Sequence, residues 1–249
     1  MALVLKPSFT ANPAATESPA VDAVISALKL MPHIEGGYFI ETDRSPDIVS
    51  SPFPIKASST SELTPKRPGF DPTLTPKRPG FDPTVRNTST TIHYFLTPNG
   101  PQGGFHRNKG RTVHTLHKGR GRYVVIHGNE SATEKRIETF IVGPDIERGE
   151  KLQWIVEGDK YKASYLLPDE DGRAHSQGLL ISETVVPGFE FCDHDFLSRQ
   201  GLEESLLVSQ PIAFCTSPDI NRKLPCRPKK GLCTHLGPMS ESRRIELVT

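Results

Sequence analysis

Between residues 89 and 186 the chain breaks into short runs rich in β-branched and aromatic residues, each closed off by turn-forming residues. Ser89–Leu96 (STTIHYFL), Thr112–His117, Arg122–His127, Ile137–Val142, Leu152–Val156, Tyr161–Leu167 and Leu179–Val186 all read as strands, and Gly37–Thr42 reads as an earlier one. Pro98-Asn99-Gly100-Pro101, Gly119 and Gly121 punctuate the series. Many short strands with turn signals between them predict an antiparallel sandwich or barrel.

The segments around this series read differently. Ser18 is placed to cap a helix that has Pro19 at its first position, and Val21, Val24, Ile25 and Leu28 form one apolar stripe before Pro32 ends it. A single stripe implies packing on one surface, the outside of a sheet. Residues 1–17, rich in Pro, Ala and Thr, are expected to be disordered. Residues 45–85 contain LTPKRPGFDPT twice in succession, at Leu63–Thr73 and Leu74–Thr84. Two proline-rich copies of this length match no packed repeat architecture, so a disordered insertion is expected there. Asp193–Leu207 is read as a short closing helix capped by Asp193. From residue 209 to 249 periodicity is lost, and a loose tail is expected. The folded domain is then residues 18–208.

Charge and cysteine content narrow the function. The net charge is +1, so bulk electrostatics points to neither nucleic acid nor an anionic membrane. No apolar run approaches the ~18 residues of a membrane span, and MALVLKPSF is too short for a secretory core. The expected compartment is the cytoplasm. Cys192, Cys215, Cys226 and Cys233 include no close pair of the kind zinc sites favour, and they form no compact disulfide framework.

Gly104–His127 is the densest stretch in candidate chemistry. It holds four of the nine histidines, His106, His114, His117 and His127, together with six Lys/Arg and no acidic residue. It resembles the first motif of the cupin superfamily: glycine, five residues, His-x-His, three or four residues, glutamate, six residues, glycine. With Gly119 as the last glycine, Thr112 takes the glutamate position and His106 a histidine position. His33–Phe39 (HIEGGYF), Glu41-Thr42, Arg44 and Val185–Phe191 (VVPGFEF) resemble the branch called cupin 5, a likeness that covers roughly residues 20–200. The resemblance implies an all-β fold, a cupin-type jelly-roll β-barrel with the helix outside it, and a homodimer.

It also implies where a site would lie. If Thr112 faces inward, alternation turns His114 and Leu116 inward and His117 outward. The second cupin motif would place its histidine at Tyr161, which aligns Tyr161, Ala163 and Tyr165 on one inner face. Thr112 and Tyr161 thus stand where cupins carry metal ligands. His106 and His114 supply two ligands, a third having to come from Glu190, His93 or Glu35, so no metal and no other cofactor is expected. Metal-free cupin epimerases and dehydratases use a histidine and a tyrosine for acid–base work, so the implied catalytic residues are His106, His114 and Tyr161. Glu35, Tyr38, Arg107, Thr112, Tyr165 and Glu190 are the implied substrate-binding residues. The expected partner is a small oxygenated or anionic metabolite, and the expected reaction an isomerisation, epimerisation or dehydration. The alternative is a cupin that binds a small ligand without turning it over, its histidines hydrogen-bonded into the core.

Overall fold

The structure is a computed structural model that describes residues 3–5, 7–53, 80–128, 130, 135–170, 174–197 and 245–247. Its elements in chain order are β1 (Leu3–Leu5), α1 (Pro19–Leu28), β2 (Met31–Pro32), β3 (Tyr38–Arg44), β4 (Ile48–Ser50), β5 (Val85–Asn87), β6 (Thr90–Leu96), β7 (Gln102–Asn108), β8 (Arg111–Lys118), β9 (Gly121–Ile126), β10 (Ile137–Val142), β11 (Gln153–Val156), β12 (Tyr161–Leu166), β13 (Leu179–Val186), β14 (His194–Phe196) and β15 (Ile245–Leu247).

Strands β6 to β13 build a jelly roll. One sheet runs β11-β8-β13-β6 and is extended past β6 by β3 and β2. The other runs β10-β9-β12-β7 and is extended past β7 by β14. The two inner faces meet in a core of Tyr94, Leu96, Tyr123, Val125, Val142, Trp154, Val156, Leu166, Leu179 and Ile181. Strands β6, β9, β11 and β13 each contribute two residues spaced by one, as a half-buried strand must. The Tyr123 and Trp154 rings meet edge to face at 4.7 Å between centroids, and the His114 ring stacks on Trp154 at 5.1 Å.

The helix forms where the sequence places it. Val21 N–H donates to Ser18 Oγ, Pro19 is the first helical residue, and Lys29 ends the helix in the left-handed conformation. Its stripe packs Val21, Val24, Ile25 and Leu28 against Phe95, Tyr38, Ile40 and Leu180 on the outer face of the six-stranded sheet.

Three segments differ from the sequence reading. Residues 7–17 pack on the domain: Asn12 N–H donates to Asn99 O at 2.9 Å, Thr97 Oγ1 donates to Glu17 Oε1 at 2.5 Å, and Phe9 lies on the core. The two ends of the 45–85 insertion pair with each other, β4 against β5, while residues 54–79, which hold most of the repeat, lie outside the described residues. In place of a closing helix, Phe191–Asp193 makes one 3-10 turn and β14 then pairs antiparallel with β7. The remainder of that expected helix and, apart from residues 245–247, the C-terminal tail lie outside the described residues. Residues 245–247 form β15, which pairs in parallel with β1.

Candidate functional site

A bulge aims His106 into the barrel. On β12, Lys162 pairs with His106 and Ser164 with Gly103, so Ala163 alone faces two residues of β7. The extra residue resets the alternation. Phe105 turns to the outer face, where it packs on Ala163, Tyr165 and Leu197, and His106 turns inward. His106 Nδ1 donates to Gly104 O at 2.8 Å, which leaves the Nε2 lone pair of the neutral ring pointing at Glu35 Oε2, 3.3 Å away.

Glu35 is held by the turn that precedes β3. Gly36 and Gly37 have φ of +107° and +68°, and a Cβ on Gly36 would sit 2.1 Å from Gln102 O. Only glycine allows so close a crossing with so tight a turn. Gly104 N–H donates to Glu35 O at 2.7 Å and Tyr94 Oη donates to Gly36 O at 2.8 Å, fixing the turn from both sides. The Glu35 carboxylate also meets His194 Nε2 at 2.8 Å, from β14, and His33 Nδ1 at 3.6 Å. Its side chain is 10% exposed, and those of His106 and His194 are 7% and 4% exposed. The ligand atoms of Glu35, His106 and His194 all lie within 4.8 Å of one another.

Deeper in the barrel stands a second cluster. Lys162 Nζ donates to Glu183 Oε2 at 2.6 Å and to His114 Nε2 at 2.8 Å. All three side chains are buried. Lys162 and His106 are paired residues on neighbouring strands, so the clusters adjoin. Asn108 and Thr112, the other cupin-motif positions, also face inward and are bonded to each other, Asn108 Nδ2 donating to Thr112 Oγ1 at 3.4 Å.

The electrostatics follow from burial and pairing. Burial, with the Lys162 and His194 charges, outweighs the attraction of Glu35 and lowers the His106 pKa to about 4. Burial alone would raise Glu35, but His106, the His194 hydrogen bond and His33 hold it at about 2. Burial likewise opposes ionisation of Glu183, yet Lys162 and His114 hold it well below the usual carboxylate range. His33 and His114 are both lowered, chiefly by burial.

Of the sequence-predicted site residues, Glu35, His106, His114 and Thr112 face the interior. His114 is turned to Lys162 and Glu183, not to His106. The others lie elsewhere. Tyr161 and Tyr165 sit on the outer face of β12, because the inward frame is Lys162, Ser164, Leu166, the reverse of the one the aromatics suggest. Tyr161 Oη bonds to Asp195 at 3.3 Å, and burial together with Asp195 pushes the phenol up to about 12. Arg107 points outward beside it, its guanidinium 4.9 Å from the Tyr161 ring centroid and paired with Asp195. Tyr38 lies beneath α1. Glu190 pairs with Arg44 at 3.1 Å, away from both clusters. The residues not anticipated are Lys162, Glu183 and His194. Glu183 did leave a signal, a lone carboxylate in frame with the apolar Leu179, Ile181 and Val185.

Similar proteins agree with this architecture. A family model described as Cupin superfamily (DUF985), Cupin_5, matches residues 22–197. An uncharacterised Saccharomyces cerevisiae protein, YML079W, is 38% identical over 194 residues, covering 78% of this chain and 83% of its own. A hypothetical protein from Leishmania major superposes with a TM-score of 0.55 at 27% identity, covering 74% of this chain and 90% of that one. The Shewanella oneidensis protein SO0799 gives 0.50 at 22% identity, covering 73% and 87%, a likeness of fold alone. With a jelly roll that closes on an inward histidine at the cupin motif position, and with these matches, the chain belongs to the cupin superfamily, in its DUF985 branch.

Proposed function

We propose that the protein binds a small oxygenated metabolite at the Glu35–His106–His194 end of the barrel and moves a proton on it, as an isomerase, epimerase or dehydratase does. The observation that carries this reading is the adjacency of two buried imidazole–carboxylate clusters joined at Lys162. Convergent titratable groups on the inner face of a barrel mark functional sites more often than plain core packing. The trio of Glu35, His106 and His194 offers donors and acceptors to substrate hydroxyl or carbonyl oxygens. Lys162 takes the acid role that the resemblance assigned to Tyr161. Its ammonium, held by an imidazole and a carboxylate, can give a proton to substrate and take it back within one turnover, and its charge faces any oxyanion that forms.

The test screens whole compound classes. The chain is incubated in D2O with panels of sugars, sugar nucleotides and hydroxy acids, and carbon-bound deuterium is read by NMR. The expected result is exchange at one carbon of one compound class, lost in Lys162→Met/Glu183→Gln, a double change that leaves no buried charge unpaired. Saturable binding without exchange would replace this reading with that of a binding protein, and neither binding nor exchange would remove the site. The homodimer implied by the resemblance is retained in this proposal. Strand β11 is a sheet edge with Ile155 45% exposed, a surface that pairing would cover. Sedimentation should give twice the chain mass, and a monomer mass at all concentrations would refute it.

A further inference from the structure

We propose that Glu35, His106 and His194 bind a divalent transition-metal ion of the zinc class. Two imidazoles and one carboxylate suit such an ion, with the remaining positions left to water or a substrate oxygen. The inference rests on the reading of this end of the barrel as the site and sharpens it: an ion held by the trio would be the electrophile for the substrate oxygen, and proton handling stays with Lys162.

Three observations support it. The three ligand atoms already converge within 4.8 Å on side chains that are at least nine-tenths buried. His106 is held by the partner a ligating histidine typically has, a backbone carbonyl taking its Nδ1 proton, so that Nε2 is free to ligate. That lone pair faces a carboxylate oxygen at 3.3 Å, two acceptors with no proton assigned between them, an arrangement that a cation relieves.

This is not the cupin-motif ligand set. Of the motif positions only His106 takes part, while Asn108 and Thr112 are bonded to each other. Glu35 comes from the turn before β3 and His194 from β14. His194 Nε2 now pairs with Glu35 Oε1 at 2.8 Å, an N–H donor to a carboxylate. For the ion to take Nε2, the His194 proton moves to Nδ1, so the neutral imidazole becomes a ligand with no net proton released.

The full-length chain, stripped with chelator and dialysed, is titrated with Zn2+ by calorimetry in two buffers of different ionisation enthalpy, and with Co2+ by visible absorption. The expected result is one ion per chain, the same enthalpy in both buffers, and a cobalt band of low-symmetry nitrogen–oxygen coordination. Glu35→Gln and His194→Asn should each weaken binding at least tenfold while circular dichroism stays unchanged. His117→Asn on the outer face, and the combined Cys215, Cys226 and Cys233→Ser variant, should bind as the parent does. No saturable binding, binding that survives both Glu35→Gln and His194→Asn, or binding lost with the cysteines would each overturn the proposal. Deuterium exchange that persists in the stripped chain would overturn the metal and leave the proton-transfer reading standing. Should Glu35→Gln misfold, His194→Asn alone decides, because His194 sits on the edge strand β14.

Discussion

At the scale of single residues, the inner groups make the fold sensitive to acid in a calculable direction. His106 is held at about 4 against an ordinary 6.5, so the unfolded chain takes up a proton that the fold refuses as pH falls from 6.5 to 4. Its contribution is complete above 6.5 and lost across that window. His33 and His114, also lowered, act in the same sense. Glu35, held at about 2 against 4.5, adds a second loss between 4.5 and 2. Each full displacement of this size is worth on the order of 3 kcal/mol. Urea midpoints should therefore be level from pH 8 to 7 and decline steadily below 6.5, with a shallower upper leg in His106→Asn. A flat profile between pH 7 and 4.5 would show that these imidazoles are not buried as described. His106 and Glu35 were legible in the sequence, through the cupin motif and the HIEGGYF block. His194 was not, because nothing local distinguishes a histidine that closes on Glu35 across 159 positions from one in the first turn of a short helix.

At the scale of elements, strand limits were easier to read than strand facing. Ile137–Val142 and Leu179–Val186 fall where alternation and turns place them, and Thr112, His114 and Leu116 face inward as the alternation argument requires. Strand β12 is the exception. YKASYL offers two frames: one puts two tyrosines on the core side, the other a lysine and a serine. Hydrophobicity favours the first, yet the structure takes the second. The reason is non-local. Glu183 and His114 satisfy the Lys162 ammonium inside, while Phe105, Ile137 and Leu197 cover the tyrosines outside. The bulge opposite Ala163 is equally invisible in sequence, since it exists only in the pairing of β7 with β12. A concrete consequence is that Tyr161→Phe should be nearly silent. It removes one long, half-exposed hydrogen bond to Asp195 and should change stability by less than about 1 kcal/mol. Its turnover should equal that of the parent. A large loss of turnover with the fold intact would return Tyr161 to the site and reverse the assigned frame.

At the scale of the whole molecule, the jelly roll accounts for how a proline-rich insertion of this length can be carried without disturbing the site. The insertion leaves and rejoins the domain through β4 and β5, whose pairing of Ile48–Ser50 with Val85–Asn87 brings its two ends together. That ribbon is tied down at its base. Arg86 Nε donates to Asp193 Oδ2 at 2.6 Å, Lys109 pairs with the same carboxylate, and Asn87 Nδ2 donates to Ser45 O at 2.7 Å. Arg44 bonds at once to Asn87, Glu41 and Glu190, which binds the start of the insertion to the block after β13. Among the described residues, these contacts make the closure. Removing one copy of the repeat, Leu63–Thr73, keeps every one of them. Closure entropy depends weakly on length, so the change should be well under about 1 kcal/mol. The deletion variant should melt within about 3 °C of the parent, since 1 kcal/mol moves the midpoint of a domain this size by only a few degrees. Its zinc titration should also be superimposable on the parent's. By contrast, Arg86→Ala leaves Asp193 buried beside a single half-buried lysine and should cost about 3 kcal/mol or more. If the repeat deletion proved the more damaging of the two, the repeat itself would have to pack on the barrel, and the ribbon could not be what closes the insertion.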